Sequence, residues 1–253
     1  MRKEESKFAP SGVFEGMVSI RAIISSRDEG KSDRAIQKIL YDKERAKARR
    51  GEIGYLRAIS DHHGFEVIES SADEIDSLTT GSSHGGIIAI CSERTFSPPE
   101  ICENGFYVML DGVEDPYNFG YALRSLYAAG VDGVVMPPRN WMTAAGVVCR
   151  ASAGASERMA LSVCDGIEAA EMFRSKGYKI IGAEKDDSVS AYESDLCRPL
   201  FLIVGGEKRG ISHALLDKCD GRVCLDYGRD FPEALSAASA ASILAFEVFR
   251  QNR

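Results

Sequence analysis

A chain of 253 residues, 44% apolar and 27% charged, is long enough to bury one large core, or a catalytic domain plus a smaller one. No apolar run approaches a membrane-spanning length and the opening MRKEESKFAPSG lacks a signal-peptide segment, so no membrane partner is expected and the expected location is cytoplasmic. The net charge of −7 does not by itself favour a nucleic-acid ligand, and seven cysteines without a Cys-x-x-Cys pair read as reduced packing residues. Cys219, Cys224 and His213 match no common zinc signature, and no metal is expected.

In chain order, residues 17–26 predict an apolar strand, 33–63 one long or two broken helices, 65–69 a strand, 72–78 a helix and 86–91 another strand, together a small α/β unit. Between Lys31 and Arg57 nine Lys and Arg stand against Asp33, Asp42, Glu44 and Glu52. That local excess is able to track phosphates, although a solvated helix face is the commoner cause of such a run. Ser92–Asn104, with Pro98 and Pro99, is the candidate linker, dividing the chain into domains 1–97 and 98–253. From residue 106 onward, strands near 106–110, 133–136, 159–163, 178–183, 200–205 and 222–225 alternate with helices. This is the pattern of an α/β fold with a mostly parallel sheet covered by helices on both faces.

Three segments carry candidate chemistry. In DGVEDPYNFGYALRSLYAAG, Asp111 to Gly130, the apolar strand ends, Asp115 is a candidate N-cap with Pro116 at the first helical position, and Gly130 stops the helix. Asn118 and Arg124 then lie just beyond the carboxyl end of a strand, the edge at which open α/β sheets bind ligands. In LFLIVGGEKRGIS, Leu200–Ser212, glycines let the backbone approach a ligand, Glu207 stands at the mouth of the strand, and Ser212 is a candidate cap. Neither a dinucleotide fingerprint nor a phosphate loop is present. The third segment, Phe231–Arg250, has helical propensity with Pro232 near its start, and its Ala and Ser positions suit close packing of backbones.

Taken together, these blocks resemble the SpoU (TrmH-type) family within the SPOUT class of RNA methyltransferases. Asn118, Gly120, Arg124 and Gly130 meet the family's first motif, and Gly205, Glu207 and Gly210 its second. Val147–Glu157, VVCRASAGASE, is similar to the family's Ser-x-Gly-Ala segment. The third motif departs: where the family usually carries Ser-Leu-Asn-Val-Ser, this chain has Ala234-Leu235-Ser236-Ala237-Ala238. Upstream, His84-Gly85-Gly86-Ile87-Ile88-Ala89 resembles the His-Gln-Gly-Ile-x-Ala of the family's amino-terminal, ribosomal-protein-like substrate-binding domain; His84 is expected to order the turn before the strand, with contact to RNA as the alternative.

The resemblance implies a trefoil-knotted catalytic domain, S-adenosylmethionine held by main chain around Ala183, Gly205, Leu225 and Leu235, and a homodimer with its active site at the subunit boundary. It implies methyl transfer to a ribose 2′-hydroxyl of RNA, with rRNA ahead of tRNA, and a catalytic set of Arg124, Asn118, Glu207 and Ser236, the serine standing where the family has Asn. A literal Arg base conflicts with a guanidinium that stays protonated in proteins, so Arg124 is expected to grip a phosphate of the target nucleotide. Two other classes stay open: an RNA- or ribosome-binding protein with weak or no catalysis, and a methyltransferase of small molecules.

Overall fold

The computed structural model describes residues 12–79, 84–138 and 144–253; the opening residues 1–11, which bear on the signal-peptide reading, lie outside that set. The chain forms two compact units. One comprises Met1–Thr95 with Asn140–Arg158, the other Phe96–Arg139 with Met159–Arg253. The expected division at residue 97 is linear, whereas here the segment that includes Val147–Glu157 groups with the first unit.

In the first unit, β1 (Val13–Glu15) leads into α1 (Gly16–Asp28), followed by β2 (Ile36–Asp42), α2 (Arg50–His63), β3 (Glu66–Ser70), α3 (Ala72–Leu78) and β4 (Ile87–Cys91). The sheet order is β1-β4-β2-β3, with β4 antiparallel to both β1 and β2 and β3 parallel to β2. Alternate residues of β2 face opposite cores: Ile39 and Tyr41 join Ile20, Ile23, Ile53 and Leu56, while Leu40 packs with Val13, Ile75 and Ile88. Two expectations are corrected here. Residues 17–26 are helical, not a strand: their β-branched content suggests a strand, yet Ser19, Ile23 and Ser26 are buried at helical spacing. Residues 36–42 are a strand, because pairing on both edges overrides the polar Gln37 and Lys38 that make the segment look helical.

Later residues complete this unit through α5 (Ala145–Ala151) and α6 (Ala155–Arg158). Between them Gly154 adopts φ +84°, and a Cβ there would lie 2.5 Å from Ala22 Cβ on α1. Glu157 and Arg34, each about 3% exposed, form an ion pair at 2.9 Å, and Arg34 also donates to Ser92 O at 2.8 Å. Arg94 donates to Ser156 O at 2.7 Å. His84 does order its turn: its Nδ1 accepts the N–H of Gly86 at 3.0 Å, which leaves Nε2 to donate to Asp76 at 2.8 Å.

The second unit holds β5 (Phe106–Asp111), α4 (Pro116–Ala128), β6 (Gly133–Met136), β7 (Leu161–Val163), α7 (Gly166–Ser175), β8 (Lys179–Ala183), β9 (Val189–Ser190), β10 (Leu200–Gly205), α8 (His213–Leu216), β11 (Gly221–Cys224) and α9 (Ala237–Gln251). Its seven strands run in the order β7-β6-β5-β10-β8-β11-β9, and every neighbouring pair is parallel. Strands β10 and β11 come late in the chain yet lie inside the sheet, between β5 and β8 and between β8 and β9. One face packs on α7 and α8, with the rings of Phe173 and Phe201 stacked at 4.1 Å. Elsewhere in the unit α4 and α9 pack side by side and α9 reaches β10. Within the candidate linker, Thr95 N donates to Asp33 at 3.0 Å in the first unit and Ser97 bridges to Ser162 in the second. Among the described residues no helix is long and apolar enough to cross a membrane.

Candidate functional site

Parallel register decides where the site lies. Gly205 pairs with Asp111, Val204 with Ala183, and Val223 with Ala183, so β5, β10, β8 and β11 all end at one edge. Ala183, Gly205 and Leu225 therefore come together at that edge, although widely separated in sequence. The turns beyond the strands touch closely. Gly206 N donates to Asp111 O at 2.6 Å, and a Cβ on Gly206 would fall 2.0 Å from Gly112 O, a space only glycine fits.

Two helices start beside these turns. Asp115 caps α4, its Oδ1 accepting the N–H groups of Tyr117 at 2.7 Å and Asn118 at 3.4 Å, with Pro116 in the first turn. Helix α9 begins at Ala237, so Phe231 and Pro232 belong to the preceding loop rather than to the helix expected from Phe231. Ser236 is its N-cap, accepting Ser239 N–H at 3.2 Å. The sequence signal for this start was a serine directly before an alanine run, and Pro232 drew the boundary too early.

Glu207 joins these elements. Its Oε1 accepts Asn118 Nδ2 at 2.9 Å and the N–H of Ala237 at 3.1 Å, so one carboxylate from the β10 turn ties the first turns of α4 and α9 together. The Ala237 amide is one of the unpaired donors of a helix N-terminus, where negative charge is favoured. Sequence reasoning named Asn118, Glu207 and Ser236 but missed this backbone partner, which has no side-chain signature. Arg124 stands apart from the network: it is exposed on α4, and among the described residues it has no hydrogen bond or ion pair.

A groove of about 430 Å³ runs between α4 and α9, lined by Asn118, Tyr121, Ser125, Ser236, Ser239 and Ile243. The loop from Leu225 to Leu235 borders the same edge. Leu235 N donates to Tyr227 Oη at 3.2 Å, Lys185 Nζ to Pro232 O at 3.3 Å, and Ser190 Oγ to the Asp226 carboxylate. Both Leu225 and Leu235 are half-buried. The cysteines play no part in the network; burial pushes the Cys219 thiol up to about 11 and Cys149 up to about 12. Among the described residues no three His, Cys, Asp or Glu converge as metal ligands.

Comparison with known proteins bears on this edge. The model of the SpoU rRNA Methylase family matches residues 105–246, a span that contains every site residue named above. A putative TrmH family tRNA/rRNA methyltransferase from Staphylococcus saprophyticus is 30% identical over 217 residues, covering 80% of this chain and 84% of that protein. The fold is shared with a crystal structure of an AdoMet-bound rRNA methyltransferase from Sinorhizobium meliloti, at a TM-score of 0.78 and 22% identity over 94% of this chain and 86% of that one. It is also shared with a crystal structure of an RNA 2′-O ribose methyltransferase, at a TM-score of 0.75 and 20% identity over 94% and 88% of the two chains.

Proposed function

As the chain belongs to the SpoU rRNA methylase family, we propose that it transfers a methyl group from S-adenosylmethionine to a ribose 2′-hydroxyl of RNA, rRNA ahead of tRNA, in the cytoplasm. The observation that carries this reading is the convergence of Asn118 and the Ala237 amide on Glu207, which unites all three motif segments at the carboxyl edge of a parallel sheet. The altered third motif is no obstacle to it. Ser236 caps α9 in place of an asparagine, and Glu207 satisfies the next donor.

The residues at the edge suit S-adenosylmethionine. Ala183, Gly205, Leu225 and Leu235 offer aliphatic surface and main chain, and a Cβ on Gly210, at φ +60°, would meet no backbone atom within 4 Å among the described residues beyond its own chain neighbours. When bound, the cofactor supplies a methyl group on a sulfonium. The chain's own residues do the positioning. The Asn118–Glu207–Ala237 bridge fixes the starts of α4 and α9, and Arg124, a free guanidinium, takes a phosphate of the target nucleotide in a bidentate fork. Holding the ribose hydroxyl at near-attack distance is the main demand, because the hydroxyl is a weak nucleophile at neutral pH. A trefoil knot is supported by the insertion of β10 and β11 between strands laid down earlier. A homodimer is supported by the exposed Tyr121, Ile243, Phe246 and Phe249 on α4 and α9, apolar surface that association would cover.

We assign RNA binding to the first unit. Lys43 and Lys47, between β2 and α2, and Arg50, the first residue of α2, are exposed with no carboxylate partner among the described residues, while Arg45 and Arg49 are paired with Asp42 and Glu52. The triple variant K43E/K47E/R50E should weaken RNA binding by at least about tenfold at low salt and flatten the dependence of log K on log salt by roughly two to three units, as expected for lost phosphate contacts. Filter binding at several salt concentrations reads both; an unchanged slope would place the RNA elsewhere.

Two measurements test the function itself. Isothermal titration with S-adenosylmethionine should give saturable binding, and mapping 2′-O-methyl positions across total RNA should show one position lost when the gene is deleted. Absence of cofactor binding would favour the reading of an RNA- or ribosome-binding protein without catalysis.

A further inference from the structure

The carboxyl edge of the second unit carries a carboxylate that the Asn118–Glu207 bridge leaves unused. Glu184 follows Ala183 directly, and its N–H donates to Val223 O at 3.0 Å, so its backbone extends the pairing of β8 with β11. Its Oε1 accepts the N–H of Lys185 at 2.8 Å, and no donor among the described residues reaches Oε2. That oxygen faces the turn after β10, 3.7 Å from where a Cβ on Gly210 would sit, and among the described residues beyond Arg209, Gly210 and Ile211 no other heavy atom lies within 4 Å of that point. Two other carboxylates at the strand ends are committed, Glu207 to Asn118 and Ala237, and Asp226 to Ser190.

Glu184 is half-buried, and a carboxylate oxygen without a protein donor suits a ligand that brings donors of its own. The parts of S-adenosylmethionine differ in this respect. Adenine presents alternating donors and acceptors, which main chain matches well. The methionine end carries a carboxylate that a second carboxylate repels. The ribose presents two adjacent hydroxyls, and a carboxylate at the end of a parallel strand beside a glycine turn is a known partner for a nucleotide ribose in other parallel-sheet folds. We propose that Glu184 is a cofactor-binding residue, accepting hydrogen bonds from the ribose hydroxyls of S-adenosylmethionine. This rests on the reading that the edge binds that cofactor, and it adds one charged side chain to a site otherwise made of main chain and aliphatic surface.

Isothermal titration of S-adenosylhomocysteine, and of its analogue lacking both ribose hydroxyls, into the parent protein and Glu184→Ala tests the assignment. S-adenosylhomocysteine should bind the variant about ten- to a hundredfold more weakly, the range for hydrogen bonds to a charged group. The analogue should bind both proteins within about twofold, since it has no hydroxyls for Glu184 to hold. Equal affinity of the two proteins for S-adenosylhomocysteine would overturn the proposal, and so would the same loss with both ligands, which would mark Glu184 as structural. A parent that binds S-adenosylhomocysteine not at all would overturn the cofactor reading, and this assignment with it. Thermal unfolding without ligand should nearly match between parent and variant, because Oε2 holds nothing in the free protein and Oε1 only the exposed N–H of the adjoining Lys185, which water can satisfy; a midpoint lowered by several degrees would argue for a structural role.

Discussion

Arg124→Lys should lower the rate of methyl transfer to RNA by about a hundredfold or more, the cost expected when a reacting group is misplaced by an ångström. Affinity for S-adenosylhomocysteine should stay within about twofold of the parent, and the unfolding midpoint should not move, because the side chain is exposed and has no internal partner. Lysine keeps the charge and loses the planar fork, so the variant separates bidentate grip from simple attraction to phosphate. Single-turnover kinetics with saturating RNA reads the rate, and titration reads the affinity. A parallel fall in cofactor affinity would place Arg124 in the cofactor site, and a rate close to the parent's would remove it from the machinery.

The second large effect falls on stability. Glu157→Ala should destabilise the first unit by about 3–5 kcal/mol, because it leaves the Arg34 guanidinium buried without its partner. Against a typical total of about 5–15 kcal/mol, that shift is large enough to appear as a separate early transition in urea. Arg34 is otherwise held by Ser92 O at 2.8 Å and lies 4.7 Å from the centre of the Phe14 ring, contacts that cannot neutralise it. The double variant R34M/E157L should recover most of the loss, since replacing a buried pair by apolar residues is often close to neutral. If Glu157→Ala unfolds like the parent, water reaches the pair and the burial argument fails.

How far the sequence led depends on where the stabilising partners lie. The second unit was readable because its strands are continuous apolar runs, such as Phe106–Leu110 and Leu200–Val204, bounded by glycine turns and helix caps. Asp115 with Pro116 marked the start of α4 correctly, because a cap is a local interaction. The first unit misled because α1 is rich in Val and Ile while β2 carries Gln37 and Lys38, and in both cases long-range packing outweighed local preference. Within the site, Asn118, Glu207 and Ser236 were named and do come together, but the amide of Ala237 was invisible: a backbone donor has no letter of its own. Residues 144–158 follow β6 in sequence yet pack with the first unit, a return that linear reading cannot anticipate. Tyr227 and Glu184 escaped notice for a related reason, since each acts on a turn that only the strand register brings near.

The interleaved strand order governs what a shortened chain would keep. A protein ending after β9 would not be one that has merely lost a border strand: β5, β6 and β7 would remain joined, β8 would have no neighbour on either side, and β9 would hang free. The middle of the layer is supplied by its latest arrivals, so a ribosome must release the polypeptide through β11 before this sheet can be complete, and a premature stop there should yield material for proteases rather than a weakened enzyme.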